Sequence, residues 1–214
     1  NDIVVLAAHG HASARLADVH ALFATHGYGV LSWDFRAHGA SGGDFTSLGY
    51  FEQRDVAAAL DYARSQPGVN HVAIWGQSMG AATALLMAAD EPDIEAVIAD
   101  SAYTSLAETI DTAVPIAVLR PFIRPFAEAE AGVSADQVRP IDAIARLAPR
   151  PVFVIDNEFD EVVPPRSGQR LYAAAGDPKV YWLIQEAGHV RGRLLEPEEY
   201  ESRVIEFLRA TFER

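Results

Sequence analysis

Cysteine is absent from the 214-residue chain, so no disulfide framework, thiolate metal site or thiol nucleophile can operate, and redox logic is silent on compartment. Positive charge is also scarce. Lys and Arg number 17 against 30 Asp and Glu, a net charge of −13, and a surface of that sign repels phosphate backbones and anionic membranes. Nucleic acid is therefore not an expected partner. No apolar run approaches the roughly 18 residues of a membrane span, and no basic segment precedes an apolar one at the start, so the chain carries no legible membrane contact. Its first residue is Asn1 rather than Met. The expectation is the ordered part of a longer protein, with room for a signal or anchor ahead of it.

What remains is half hydrophobic and 22% charged, the balance of a globular fold rather than a disordered or collagenous one. The length suits one domain with a sizeable core. Short β-branched runs alternate with helical patterns from end to end, the mark of parallel strands joined by crossover helices. Strands are predicted at 3–8, 29–33, 72–75, 96–99, 151–155 and 180–184. Between them, Ser13 is placed to cap a helix bearing Leu16, Val19 and Phe23, with Gly27 ending it. The Gly-, Ser- and Asp-rich stretch 34–49 reads as a loop. A helix with Val56, Leu60 and Ala63 on one side stops at Pro67-Gly68, and further helices are predicted at 78–89, 166–175 and 197–212, the last with Tyr200, Val204, Phe207 and Leu208 on one face. The rhythm breaks between 105 and 149, where Pro115, Pro121, Pro125, Pro140 and Pro149 interrupt short helical pieces. That excursion reads as an insertion. The fold class is α/β, a mostly parallel sheet of about six strands flanked by helices.

Gly76-Gln77-Ser78-Met79-Gly80 lies where a predicted strand meets a predicted helix, the context a nucleophile elbow requires. A turn tight enough to lift a serine off a strand end needs small residues two before and two after it, and the following helix points its free N–H groups and positive dipole end at developing negative charge. The plainer alternative is a helix cap. A serine hydroxyl is a weak nucleophile and needs a base oriented by a carboxylate, in the chain order Ser, acid, His. Asp160 follows the fifth predicted strand, where Asp156, Glu158 and Glu161 compete for the role, and His189 follows the sixth. His9-Gly10-His11 ends the first strand, and its glycine lets the loop turn so that the His11 N–H joins that of Met79 as an oxyanion hole. His9 is read as supporting this loop through its backbone. His20, His26 and His71 are read as solvated or structural, and none has metal-ligand spacing, so no metal is expected.

With these residues in place, the chain resembles the α/β-hydrolase superfamily over nearly its whole length, and within it the Bem46-like group of small serine hydrolases. The motifs in order are His9-Gly10-His11, Asp34-Phe35-Arg36-Ala37-His38-Gly39-Ala40-Ser41-Gly42, the elbow, Asp100-Ser101-Ala102-Tyr103, the acid loop and Ala187-Gly188-His189. The resemblance implies an α/β-hydrolase fold in which Asp34 and Arg36 fix a loop near the site and a small cap-like insertion, about 105–140, covers an acyl pocket. Three departures stand out: Asp156-Asn157 where the group commonly carries His-Gly, Ala37-His38 where it carries Gly-Tyr, and no additional strands ahead of the first.

The expected function is a serine hydrolase acting on a small-molecule carboxylic ester through an acyl-enzyme, with Ser78 as nucleophile, His189 as base, Asp160 as its orienter and no cofactor required. Leu119, Phe122, Ile123 and Phe126 are candidates for the acyl pocket, with helix-face packing as their other use. A thioesterase or acyl-protein deacylase, or a small peptidase, would use the same three residues; dehalogenase chemistry would need Asp at the elbow. A non-catalytic binding protein that keeps the fold is the alternative of another class.

Overall fold

Every residue of the run IVVLAA at Ile3–Ala8 is apolar, and a strand with no polar face must be covered on both sides. It is the second strand of such a sheet. The structure, a computed structural model, describes residues 2–114 and 116–213; Asn1 and Pro115, both noted in the sequence, lie outside the described residues. Six strands form the sheet: β1 (Ile3–Ala8), β2 (Gly29–Ser32), β3 (His71–Gln77), β4 (Ala96–Asp100), β5 (Val152–Phe159) and β6 (Lys179–Gly188). Their order is β2-β1-β3-β4-β5-β6, and every pairing is parallel.

Parallel strands need crossovers, and these are helices: α1 (Ala17–Thr25), α2 (Gln53–Ser65), α3 (Met79–Asp90), α4 (Leu106–Ala113), α5 (Arg120–Ala131), α6 (Pro140–Ile144) and α7 (Ser167–Ala174), while α8 (Gly192–Leu195) and α9 (Pro197–Phe212) follow the last strand. Side chains alternate between the sheet faces. Leu6, Ile74 and Val97 meet Val56 and Leu60 of α2 and Leu85 of α3 on one face. Val5, Trp75 and Ile98 meet Phe23 of α1 and Tyr200, Val204 and Leu208 of α9 on the other. Two separate cores therefore clamp the sheet, and its strand ends are free to build a site.

Several boundaries differ from the sequence reading. β5 runs on to Phe159 and β6 to Gly188, through acidic and amide residues of low strand propensity that pairing with a neighbour carries anyway. Ser13 does not cap α1. That helix begins at Ala17 with no side-chain cap, because the Arg15 N–H is held by Asp34 Oδ1 at 2.9 Å and keeps the preceding segment in a loop. Between β4 and β5 the chain makes the expected excursion, α4 to α6 with 3-10 turns at Ala117–Leu119 and Ala135–Gln137. Pro125 sits inside α5 rather than ending it. The excursion is anchored by Leu106, Ala107, Ala135 and Val138 packing on Ala82, Leu86 and Tyr103.

α3 approaches β1 closely at Gly80. A Cβ on Gly80 would overlap the carbonyl oxygens of Ala8 and His9, which are backbone and cannot swing aside. Gly80→Ala should therefore destabilise by about 1–3 kcal/mol, read in thermal denaturation as a Tm lower by about 2–12 °C. An unchanged Tm would contradict this account of the packing.

Candidate active site

Ser78 stands between the last residue of β3 and the first of α3, at φ 53° and ψ −120°. A non-glycine residue in such a region costs about 1–3 kcal/mol and persists only when its surroundings dictate it. They do so here. The Ser78 N–H donates to Asp100 O at 2.8 Å and its carbonyl accepts from Ala82 N at 3.0 Å. Its side chain makes no cap bond to α3, so the plain capping role is not the one it adopts.

The hydroxyl instead lies 2.8 Å from His189 Nε2, and His189 Nδ1 lies 2.7 Å from Asp160 Oδ2. A carboxylate can only accept, so Nδ1 carries the proton and Nε2 is left to accept from Ser78. Asp160 is fixed in turn by the N–H groups of Val162 and Val163, which donate to Oδ1 at 2.9 and 3.1 Å. Its side chain is 4% exposed and that of His189 18%, so the line of three is shielded but reachable at its serine end. The competing carboxylates are engaged elsewhere. Asp156 accepts from Tyr181 Oη and from the Asn157 N–H, Glu158 accepts from the Glu186 N–H, and Glu161 is exposed.

The loop after β1 passes directly over the elbow. A Cβ on Gly10 would sit 3.2 Å from Ser78 Cβ, a contact that any larger side chain would crowd. His9 supports this loop: Nδ1 donates to Gly10 O at 2.7 Å and Nε2 accepts from Phe35 N at 2.9 Å. His38 adds a second brace. Its Nδ1 donates to Arg36 O at 2.8 Å, leaving Nε2 to accept from Ala12 N at 3.1 Å, with His11 Nδ1 3.3 Å away. Burial, reinforced by His38, pushes the His11 pKa down. Met79, the first residue of α3, has an N–H with no acceptor inside its own helix. Asp34 and Arg36 hold the neighbouring loop, Asp34 by accepting from the N–H groups of Arg15 and Ala40, and Arg36 through a two-pronged pair with Asp55.

Between the 46–48 loop and the 105–140 excursion lies a cavity of about 130 Å³ lined by Leu48, Leu106, Ile110, Ala131, Val133 and Ala135, among others. Leu119, Phe122, Ile123 and Phe126 do not border it. They form a stripe on the outer side of α5, with the two phenylalanines each 72% exposed. Their helical spacing marked an apolar face, while the direction of that face depends on how α5 docks. Among the described residues no group of three or more His, Asp or Glu side chains converges as metal ligands would.

Asp100 has a place in the sequence motifs but no role assigned from the sequence. It ends β4, is 1% exposed, and accepts from Ser101 Oγ (2.9 Å), Asn157 Nδ2 (3.1 Å) and Tyr200 Oη (2.9 Å). Burial pushes its pKa up to about 6 despite these donors. The available signal was its place in Asp100-Ser101-Ala102-Tyr103, at a strand end beside the elbow.

A sequence profile described as Hydrolase_4, serine aminopeptidase, S33, matches residues 1–140. Among curated relatives, the uncharacterized protein YqkD of Bacillus subtilis is 31% identical over 200 residues, covering 87% of this chain and 64% of its own length. Protein bem46 of Schizosaccharomyces pombe is 28% identical over 175 residues, covering 79% of this chain and 54% of its own length. The chain thus spans less than two thirds of these relatives. Among solved structures, the Pyrococcus furiosus esterase Pf2001 superposes with a TM-score of 0.80 at 28% identity, covering 99% of this chain and 84% of that one. The ferulic-acid-bound Est1E of Butyrivibrio proteoclasticus superposes with a TM-score of 0.80 at 20% identity, covering 99% and 90%, a likeness of fold.

The Asp100 carboxyl binds its proton more tightly folded than unfolded, because burial raises its folded pKa to about 6 from the ordinary 3.8. This one group therefore favours the fold increasingly as pH falls from about 6 towards 4, and penalises it most above 6. Asparagine cannot titrate. The Tm of Asp100→Asn minus that of the parent should be more positive, or less negative, at pH 8 than at pH 5. A difference independent of pH would contradict the buried charge.

Proposed function

The chain belongs to the Hydrolase_4 family (serine aminopeptidase, S33) and is an α/β hydrolase of Bem46-like type, and from that premise we propose that it is a serine hydrolase of small carboxylic esters. The observation that carries the reading is the unbroken hydrogen-bonded line from Ser78 Oγ through the His189 ring to Asp160. In it, His189 Nε2 takes the serine proton as Ser78 attacks the ester carbonyl, and the cationic ring that forms is held by Asp160. The backbone N–H groups of Met79 and His11 are the oxyanion donors in this reading. The α3 N-terminus adds its positive dipole end, and one such donor is typically worth about 10²–10³ in turnover. The protonated imidazole then passes its proton to the leaving alcohol. Water, deprotonated by the same nitrogen, releases the acid.

The apolar lining of the cavity beside the 46–48 loop suits a short acyl group, and Thr46 in its wall has its Oγ1 3.4 Å from Sδ of Met79, the residue after Ser78. In this reading Leu106, Ile110 and Val133 take the pocket role, and the stripe of Leu119, Phe122, Ile123 and Phe126 is left to contacts outside the cavity. A peptidase reading, favoured by the family description, uses the same three side chains. p-Nitrophenyl esters of graded acyl length, run beside a thioester and an aminoacyl arylamide, separate the substrate classes by kcat/KM. Short esters should lead.

Ser78→Ala should lower ester hydrolysis by about 10³-fold or more and abolish labelling by a fluorophosphonate probe while the fold is kept. Hydrolysis by the variant at the rate of the parent would sink the mechanism.

A further inference from the structure

β5 does not end cleanly at the site. Its pairing with β6 stays in register as far as Asn157 and shifts only between Asn157 and Phe159, so strand alternation puts the Asn157 side chain on the buried face of Phe153 and Ile155, where it is 3% exposed. There its amide is fully engaged. Nδ2 donates to Ser101 Oγ at 2.7 Å and to Asp100 Oδ1 at 3.1 Å, while Oδ1 accepts from Gly192 N at 2.9 Å. Its main-chain carbonyl accepts from Asp160 N at 3.2 Å. One residue thus grips both loops that meet at the imidazole, the acid loop by its backbone and the loop beyond His189 by its side chain.

The grip is directional. A primary amide can be turned end for end, but the buried Asp100 carboxylate can only accept, so it draws the NH₂ end and leaves the oxygen facing Gly192. Ser101 repeats the arrangement: its hydroxyl donates to Asp100 Oδ1 at 2.9 Å and accepts from Val190 N at 3.3 Å. Two consecutive grips, at Val190 and Gly192, therefore fix the backbone immediately after His189. Tyr200 of α9 completes the layer, donating to Asp100 Oδ2 while accepting from Trp75 Nε1 of β3, each at 2.9 Å. The network spans β3, β4, β5, the His189 loop and α9.

We propose that Asn157 is a positioning residue that seats His189 between Ser78 and Asp160, with Asp100 and Ser101 setting the direction of its amide. The inference rests on the serine-hydrolase reading above and adds to it a residue that touches neither substrate nor reacting atoms. Proton transfer tolerates little misplacement, and an error of about 1 Å can cost about 10²-fold in rate. A loop released from one of its two grips moves on that scale.

The test compares the parent, Asn157→Ala, Ser101→Ala and Ser78→Ala on a short p-nitrophenyl ester, with active sites counted by fluorophosphonate labelling and folding followed by Tm. Positioning predicts that Asn157→Ala lowers kcat per labelled site by about 10–100-fold with KM within about twofold of the parent. Ser101→Ala should show the same split at smaller size. A merely structural role predicts a lower Tm and fewer labelled sites with kcat per labelled site unchanged, and that result overturns the proposal. Should Asn157→Ala fail to fold, Ser101→Ala alone decides on the same criterion. A parent that neither labels nor turns over, or a Ser78→Ala variant as active as the parent, brings down the serine-hydrolase reading itself and the proposal with it.

Discussion

The constraint on which the rest depends is the backbone of Ser78. An L-residue at φ 53° and ψ −120° is strained, and the strain is tolerable only because β3, β4 and α3 close around it. The Asp100 carbonyl holds its amide, Gly76 and Gly80 remove the side chains that would collide there, and β1 runs close against α3. Two apolar cores, one on each face of the sheet, supply the rigidity against which that strain is stored. Given the turn, the hydroxyl stands at the carboxyl ends of the strands, where loops from β5 and β6 can reach it.

Most of this was legible in the sequence for physical reasons. Buried parallel strands leave uninterrupted apolar runs, so all six strands are visible, and an elbow leaves a glycine signature that follows from its own crowding. His189 and Asp160 are found by looking for a base and an orienter at the ends of β5 and β6, and the fold brings both side chains into line with Ser78. The residues that escaped are polar and buried. Asp156, Asn157 and Glu158 extend β5 although nothing in their propensity suggests a strand, and Asn157 was noticed only as a departure from the family pattern. A sequence shows that such a residue is polar but not that it is enclosed, and its partners at Asp100, Ser101 and Gly192 are distant along the chain. The direction of the α5 stripe was hidden for a related reason, since periodicity defines a face without saying what that face meets.

Two layers of the site therefore differ in kind. The upper layer of Ser78, His189 and Asp160 is reachable, and each of its residues is written in a local motif of its own. The lower layer of Asp100, Ser101, Asn157, Tyr200 and Trp75 is fully buried, and it places a carboxylate with a raised pKa among the groups that hold the backbone following His189. Removing a partner from such a network leaves a buried group unsatisfied, so its cost exceeds that of the bond lost. The lower layer holds still what the upper layer must keep aligned.

The central claim, that Ser78 is the nucleophile because the fold sets His189 against it, is tested most directly by mapping the adduct left by a fluorophosphonate. Intact-mass and peptide mass spectrometry should find one adduct per chain, on the peptide bearing Ser78. An adduct on another side chain, or none on folded protein, would contradict the account.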